Sequence, residues 1–578
     1  MRLIKHIGLL TTLGVLLGAC GNDAAQAPVA ETAAVQSENA ATDIYVNGDI
    51  ITVNDKQPQA AAVAVRDGKI LAVGTRAEVD AAAGEGATVE DLGGKTLIPG
   101  LIDAHGHISF TAQTLVNVNV SAPPVGEAQR IDDVVKLLAA KKEEQPEAPW
   151  IFGWGYDDSL LEEQRHPTRD DLDKVSADIP IVIRHVSGHL MVCNSKCLEL
   201  AKITAQTENP KGGVIQRKEG SKEPNGVLEE SALGLLLSVM PQPDAAASLK
   251  LLQPAQQYYA SYGITTVQDG AASPQEVSLL TEAAKQGELY LDIVAYMYQQ
   301  IPGVTGDEFS PSRDYSGHFR VGGIKLVLDG SPQGKTAWLT KPYFRPPEGQ
   351  AKDYRGYPIL DDADVEKHIN NAFANDIQVL AHANGDAAAD QLISVVAAAN
   401  KELKPGDRRT VMIHAQTARE DQIEQMKTEG IIPSYFATHT FFWGDWHRDS
   451  VFGVERAARI SPLKSTVDRG MPFTTHNDTP IVPPDMMRLL WSSVNRITRS
   501  GQVLGEAQRI SPLDALKSMT INAAYQYFEE DSKGSIEIGK LADLAILSAN
   551  PLKVEPGKIK DIEVLETIKE GRSVYRRE

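Results

Sequence analysis

Side chains of the types that bind divalent metals recur at regular points along this sequence. His105 and His107 stand two residues apart in an extended run, so both imidazoles project from one face and can chelate one ion. His382, His414 and Asp478 each close an apolar run further along the chain. A single histidine is more often structural than ligating, but four histidines in register with a terminal aspartate predict a metal centre.

Lys325 is a further side chain that calls for a chemical explanation. It lies inside the apolar run GGIKLVLDG. An unpaired ammonium group is costly to bury, so this lysine must be paired, exposed or chemically altered.

Eight apolar runs would position these residues. From the second run onwards, the runs alternate with helical stretches. This alternation is typical of βα units around a parallel sheet, and eight strands predict an α/β fold of the TIM-type (β/α)8 barrel class. The candidate ligands stand at the C-terminal ends of the runs, which is the face on which barrel enzymes build their sites. The runs cover residues 96–107, 263–269, 291–298, 322–330, 377–386, 410–416, 430–436 and 471–478.

The remaining segments predict the domain organisation. Alternating short runs with turn pairs Asn47-Gly48 and Asp67-Gly68 predict antiparallel strands, and similar runs return at the C-terminus. We therefore expect one composite β-sandwich from residues 43–95 and 530–578, flanking a barrel over residues 96–529. The long gap after the first run predicts an inserted subdomain at about 108–255, placed to cover the active-site face.

The start of the chain predicts export. Two basic residues precede an apolar stretch, and residues 17–20, LGAC, resemble a bacterial lipobox. We expect a lipoprotein signal peptide over residues 1–19, lipidation at Cys20 and a flexible tether over residues 20–42. Because glycine and not aspartate follows Cys20, we expect the protein to be localised to the outer membrane, facing the periplasm.

Composition limits the partners. The chain of 578 residues is 42% hydrophobic and 23% charged, which is typical of a globular protein, and its net charge of −20 repels nucleic-acid phosphates. We expect no nucleic-acid partner, a small-molecule substrate, and membrane contact only through the lipid anchor. Cys193 and Cys197 are expected to be core residues. The sequence leaves open whether the chain forms a homo-oligomer.

Several of these motifs together resemble the amidohydrolase superfamily, and within it the amidohydrolase 3 family, which includes N-substituted formamide deformylases. The motifs are HGH on the first run, IKLVLDGS on the fourth, AHANGD on the fifth, IHAQ on the sixth and ND on the eighth. The resemblance implies a barrel with two divalent metals and a carbamate on Lys325 that bridges them. Zinc is the default metal, and iron or manganese also suit histidine with oxygen ligands.

The resemblance also implies roles for individual residues. One metal would be held by His105, His107 and Asp478, and the other by His382 and His414, with modified Lys325 between them. Asp478 would act as the general base and acid of a hydrolysis in which metal-activated water attacks an amide or N-formyl group.

Substrate contacts are expected from the exit of the seventh run and from the insertion. By resemblance, His439 is a catalytic residue that contacts the scissile group. Polar and aromatic density predicts Trp443 and His447 as substrate-binding residues. The insertion motifs GWGYDD and SGHLMVCNS resemble the pocket-facing segment of the family, which implies the same role for Trp154 and His189.

Three points stay open at the level of sequence. His476 stands two residues before Asp478, and it either orients that carboxylate or packs in the core. A mononuclear deaminase of an aminated heterocycle is an alternative chemistry on the same barrel, in which Lys325 would be dispensable. A non-catalytic lipoprotein that binds a ligand or metal is the third hypothesis.

The lipidation site can be tested directly. Replacing Cys20 with serine removes the thiol that accepts the lipid, so the variant should lose labelling by radioactive palmitate and leave the membrane fraction. Cys193→Ser is the control and should keep both properties. Unchanged labelling of Cys20→Ser would contradict the prediction.

Overall fold

The computed structural model describes residues 42–241, 244–300, 311–347, 349–403 and 406–578. The predicted signal peptide, Cys20 and all of the predicted tether except its last residue lie outside these ranges. Within them, no helix combines the length and the apolarity needed to cross a bilayer.

Eight parallel strands form the central sheet, which confirms the eight predicted runs and the TIM-type α/β class. The strands pair in chain order, and nearly all of their residues are buried, as expected for a parallel sheet covered by helices. At the C-terminal edge the backbone N–H of His107 donates to the carbonyl of Thr479 at 2.8 Å, which links the ends of the first and eighth strands. The strands are Leu101–Ile102, Ile264–Ala272, Asp292–Tyr298, Phe319–Val327, Gln378–Ala383, Val411–His414, Ile432–Tyr435 and Thr474–Thr475.

Local signals define the helices between these strands, as Pro274–Gln286 illustrates. The Ser273 hydroxyl accepts from the N–H of Glu276, whose carboxylate accepts from the N–H of Ser273, and Gly287 ends the helix in the left-handed conformation. Val277, Leu280 and Ala283 form its buried stripe. The barrel helices are Ile108–Thr114, Ala245–Ala260, Pro274–Gln286, Asp362–Ala374, Asp386–Glu402, Glu420–Glu429, Leu463–Asp468, Met486–Asn495, Pro512–Ser518 and Ile521–Gln526.

Strands from both ends of the chain pair in one second sheet. Asp67 and Gly68 form the predicted turn, but the turn predicted at Asn47-Gly48 is wrong, because Asn47 is a left-handed residue at a bulge inside a continuous strand. The last two strands of the chain form a hairpin around Gly571. In sheet order the strands are Arg572–Arg576, Val564–Lys569, Leu544–Leu547, Thr96–Pro99, Asp43–Ile51, Gln59–Arg66 and Lys69–Gly74, with Thr88–Asp91 beside Asp43–Ile51 and helix Arg76–Ala83 after the hairpin.

The first predicted run, residues 96–107, is two strands and not one. Thr96–Pro99 belongs to the sheet of both termini, and Leu101–Ile102 belongs to the barrel. Gly100 lies at the crossing, where a β-carbon would come within 2.5 Å of the Thr265 hydroxyl oxygen. The chain therefore changes sheets where only glycine fits, and His105 and His107 lie in the connection beyond the barrel strand.

A third sheet of six strands lies in the chain between the first and second barrel strands. Cys193 and Cys197 are buried free thiols in this region, as predicted. In sheet order the strands are Gly213–Arg217, Pro224–Glu230, Leu190–Cys193, Ile181–His185, Ile151–Tyr156 and Val118–Asn119, accompanied by helices Ile131–Glu144, Arg169–Leu172, Ser195–Leu200 and Leu233–Leu237.

A buried ionic network joins the barrel to the C-terminal strands at the N-terminal end of the third barrel strand. Asp292 accepts from Lys533, and also from Lys569 at 2.8 Å. Lys569 lies 3.0 Å from Asp543, and Lys533 lies 3.0 Å from Glu529. Burial alone would raise the pKa of Asp292, but the two ammonium groups hold it well below its usual range.

Asp292→Asn should destabilise the protein by about 3–5 kcal/mol, because it leaves two ammonium groups buried beside a neutral amide. Urea unfolding at pH 7 measures the loss. Since the folded pKa of Asp292 is depressed, its contribution is present above the unfolded pKa of about 4 and is lost as pH falls below that value. The difference from wild type should therefore shrink in acid.

Asp561→Asn is the matched control, because Asp561 is exposed and its ion pairs are with the surface side chains of Lys558 and Lys560. It should leave the free energy of unfolding close to that of wild type. Equal losses in the two variants would refute the assigned role of Asp292.

Candidate metal centre

The fold gathers all six predicted metal ligands at the C-terminal ends of barrel strands. His105 and His107 lie beyond the first strand, and Lys325 lies within the fourth. His382 lies in the fifth strand and His414 ends the sixth, while Asp478 follows the eighth. All except His107 are buried, and His107 is partly exposed.

One half of the centre is built around Asp478. Its Oδ1 lies 3.1 Å from Nε2 of His107 and 3.4 Å from Nε2 of His105. Lys325 Nζ lies 2.9 Å from the same Nε2 of His105. Nδ1 of His105 donates to Gln268 Oε1 at 2.6 Å, so its Nε2 lone pair is directed at this cluster.

The other half is formed by two imidazoles that face each other. Nδ1 of His382 lies 3.0 Å from Nε2 of His414. Nε2 of His382 lies 3.1 Å from the Gly330 carbonyl, and in the tautomer that donates to this carbonyl Nδ1 is the unprotonated nitrogen. Oδ2 of Asp478 lies 3.9 Å from Nε2 of His414, so the carboxylate lies between the two halves.

His476 orients a histidine and not the carboxylate. Its Nε2 lies 3.1 Å from Nδ1 of His414, and its own Nδ1 lies 2.9 Å from the Ser434 hydroxyl. When Nδ1 of His414 carries the proton of this contact, Nε2 of His414 is the unprotonated nitrogen that faces His382. The sequence left two hypotheses for His476, that it orients Asp478 or that it packs in the core. Its contacts with His414 and Ser434 fit neither hypothesis.

Three supporting residues were missed at the sequence level: Gln268, Gly330 and Ser434. Gln268 is a polar side chain inside the second apolar run, which is a signal that could have identified it. Its amide nitrogen donates to the Ala104 carbonyl at 2.9 Å, so its oxygen faces His105. Gly330 contributes only a backbone carbonyl, which no side-chain pattern reveals.

The backbone is strained at two of the candidate ligands. His414 has φ of 73° and Asp478 has φ of 57°, both in the left-handed region that residues other than glycine uncommonly enter, although aspartate and histidine do so more often than most. Such conformations cost about 1–3 kcal/mol each and persist where function requires them.

Protonation states in the centre suit metal ligation. Burial lowers the pKa of His105, His382 and His414 well below the usual value, so these rings are neutral, which is the ligating form. Burial also lowers the pKa of Lys325 to about 7. Inward-facing ring nitrogens, a carboxylate and a partly neutral lysine together form a donor set that fits divalent ions.

The predicted substrate residues surround this centre in two groups. Nδ1 of His439 lies 2.9 Å from Nε2 of His447, and the Trp443 ring lies 4.5 Å from that of His439. Trp154 and Trp443 belong to one apolar cluster with Phe436, whose ring lies 6.0 Å from that of His414. The second group is His189, whose ring lies 5.2 Å from that of His382.

His447 differs from its predicted position. It is fully buried, and its contacts are with His439 and Phe452. It therefore supports His439 from behind, at the first turn of a π-helix, His447–Val451, that follows the short helices His439–Phe442 and Gly444–Trp446.

Comparison with known proteins places similarity to amidohydrolases over most of the chain. The model of a family described as "Amidohydrolase family" matches residues 88–575. An N-substituted formamide deformylase of Arthrobacter pascens is 29% identical over 551 residues, which cover 92% of this chain and 98% of that protein.

Two solved structures share the fold. The crystal structure of a metal-dependent hydrolase from Pyrococcus horikoshii has a TM-score of 0.70 at 22% identity and covers 89% of this chain and 99% of its own. A metal-dependent hydrolase from Pyrococcus furiosus has a TM-score of 0.68 at 24% identity, covering 89% and 100%.

Replacing His476 with phenylalanine should weaken zinc binding by about 10–100-fold, because His414 loses the partner that orients its ring. Competition with a fluorescent chelator measures the affinity. His368, on the outer helix Asp362–Ala374, provides the control His368→Phe, which should bind zinc like wild type. Unchanged affinity in His476→Phe would show that His476 does not support the centre.

Proposed function

Because this chain belongs to the amidohydrolase family, and is therefore an enzyme acting on carbon–nitrogen bonds, we propose that it hydrolyses a non-peptide amide or N-formyl bond at a two-metal centre. The observation that carries the proposal is the pair of facing histidine nitrogens beside Asp478 and Lys325, all at the mouth of one barrel.

His105, His107 and Asp478 would hold one ion, and His382 and His414 the other. Divalent ions at these positions would acidify water and polarise the substrate carbonyl, with zinc the first candidate and iron or manganese the alternatives. Asp478 reaches both halves, since its two oxygens face His107 and His414. It is placed to accept the proton of the attacking water and to deliver it to the leaving nitrogen.

Lys325 is proposed to bridge the two sites as a carbamate. Carbamate formation joins the neutral amine nitrogen to carbon dioxide and releases one proton, so it requires an unprotonated lysine. Burial, which lowers the pKa of Lys325 to about 7, favours that form. The carbamate also resolves the cost of a buried ammonium group, which was the problem posed by the sequence.

The surroundings favour a substrate with an apolar substituent. Phe436 lies between His414 and His439, and it packs with Trp154, Trp443 and Ile481. His439 is proposed to contact the scissile group, with this apolar cluster beside it. An N-substituted formamide, the substrate type named for the Arthrobacter relative, has a small acyl group and a separate substituent and fits this division.

One observation favours a mononuclear deaminase as the second candidate. His105, His414 and Asp478 offer ligand atoms within 4.8 Å of one another, so a single ion could take ligands from both halves. In that case Lys325 would be dispensable and ammonia would be released. A non-catalytic lipoprotein is set aside because the family membership shows an enzyme.

The location of the enzyme is also a proposal. The lipobox-like residues 17–20 support an exported chain, anchored through Cys20 in the outer membrane and facing the periplasm. The substrate would then be a small molecule of the periplasm, with no nucleic acid involved.

The number of metals per chain is the decisive measurement. A chain beginning after Cys20, produced with zinc and bicarbonate, should contain two metals by plasma mass spectrometry. It should release formate or acetate from N-alkyl and N-aryl formamides or acetamides.

Lys325→Ala should lose at least one metal and about 100-fold or more in kcat/KM, because the bridging ligand is absent. Lys367→Ala, on an outer helix, is the control and should match wild type. One metal in both wild type and Lys325→Ala, with ammonia released from aminated heterocycles, would replace the proposal with the deaminase.

A further inference from the structure

A buried hydrogen bond connects the inserted sheet to the loop that carries His439. Asp157 follows strand Ile151–Tyr156 of the insertion, and its Oδ2 accepts from the indole N–H of Trp443 at 2.6 Å. The two residues are 286 positions apart in the chain, and both are almost completely buried, at 2% and 1% exposure.

Trp443 is part of the support of His439. Successive members of the series His439, Trp443 and His447 are four residues apart. The Trp443 N–H donates to the His439 carbonyl at 3.0 Å, and the His447 N–H donates to the Trp443 carbonyl at 2.7 Å. The His439 ring lies 4.5 Å from the Trp443 ring, 5.2 Å from the His447 ring and 4.4 Å from the Phe436 ring. Movement of the indole would therefore release one side of this enclosure.

The other contacts of Asp157 hold it in place from the insertion. Its Oδ1 accepts from the N–H of Ser159 at 3.0 Å and from the Ser159 hydroxyl at 2.6 Å. Oδ2 is thus left for Trp443. A carboxylate–indole bond in a buried setting is charge-assisted and directional, so it fixes the rotation of the indole as well as its position.

A metal ion does not explain this cluster, although Asp157, Asp158 and His185 lie close together. The Ser187 N–H donates to Nδ1 of His185 at 3.1 Å, so the proton of that ring is on Nε2. Nε2 then donates to Asp158 at 2.9 Å and has no lone pair for a cation. The cluster is a hydrogen-bonded network in which Asp157 has a separate partner.

We propose that Asp157 is a positioning residue: through Trp443 it holds His439 in the orientation that meets the substrate, so the barrel site is complete only with the insertion docked. The proposal rests on the proposed function for the role of His439, but the hydrogen bond between Asp157 and Trp443 is independent of that function. Misplacing a substrate-contacting group by about 1 Å can cost roughly 100-fold in rate.

The kinetic test uses Asp157→Asn, whose one amide oxygen cannot accept from both the indole and the Ser159 N–H, together with Trp443→Phe, which keeps an aromatic ring and loses the donor. Each should lower kcat about 10–100-fold at an unchanged metal count and with a smaller change in KM. The double variant should lose no more than either single variant, because both remove the same bond. Asp158→Asn is the matched control, since Asp158 bonds to His185 and not to Trp443, and its kcat should stay within about threefold of wild type.

A second readout does not need turnover. The Trp443 ring current should shift the Cε1–H resonance of His439, which is assigned by its loss in His439→Asn. Asp157→Asn should move this resonance and the indole N–H resonance of Trp443, and Asp158→Asn should leave both in place.

Failure of the wild type to hydrolyse any amide would overturn the proposed function and leave the resonance test valid. Unmoved resonances in Asp157→Asn, kinetic losses that multiply in the double variant, or equal losses in Asp157→Asn and Asp158→Asn would each overturn the positioning role.

Discussion

The active face of this enzyme depends on one electrostatic constraint, the close approach of two imidazole nitrogens. Nδ1 of His382 and Nε2 of His414 face each other at 3.0 Å, and both rings are buried and neutral. Two nitrogens at this distance repel each other unless a proton or a metal cation lies between them. The surrounding structure maintains this arrangement, with the Gly330 carbonyl behind His382, His476 behind His414 and a strained backbone at His414.

The two ends of the barrel carry different kinds of charge. At the N-terminal end, Asp292 is paired with Lys533 and Lys569, and these buried charges stabilise the junction with the C-terminal strands. At the C-terminal end, the ionisable groups are concentrated around the proposed metals and are stabilised only in part by one another. This division between a stabilising face and a chemical face is general for barrel enzymes.

The inserted sheet is more than a cover over the second of these faces. It contributes His189 beside His382, and it bonds through Asp157 to the loop of His439. The barrel supplies the proposed metal ligands on rigid strands, while the insertion adjusts the groups that would meet the substrate.

The sequence by itself determined the strand number, the order of the ligand types and their common edge. These follow from the periodicity of apolar runs and from the position of His382, His414 and Asp478 at their ends, both of which are local properties of the chain. The apolar neighbours of Lys325 likewise showed that it must be paired, exposed or chemically altered, and the structure shows that it is buried.

Only the tertiary structure decided which ring nitrogen faces the centre, that His476 supports His414, that Asn47 forms a bulge, and that Asp157 bonds to Trp443. Each of these depends on hydrogen bonds or pairing between residues that are close in space and distant in sequence, or on a backbone carbonyl such as that of Gly330. Residue type and spacing do not encode such contacts, because they arise only when the separate elements pack together.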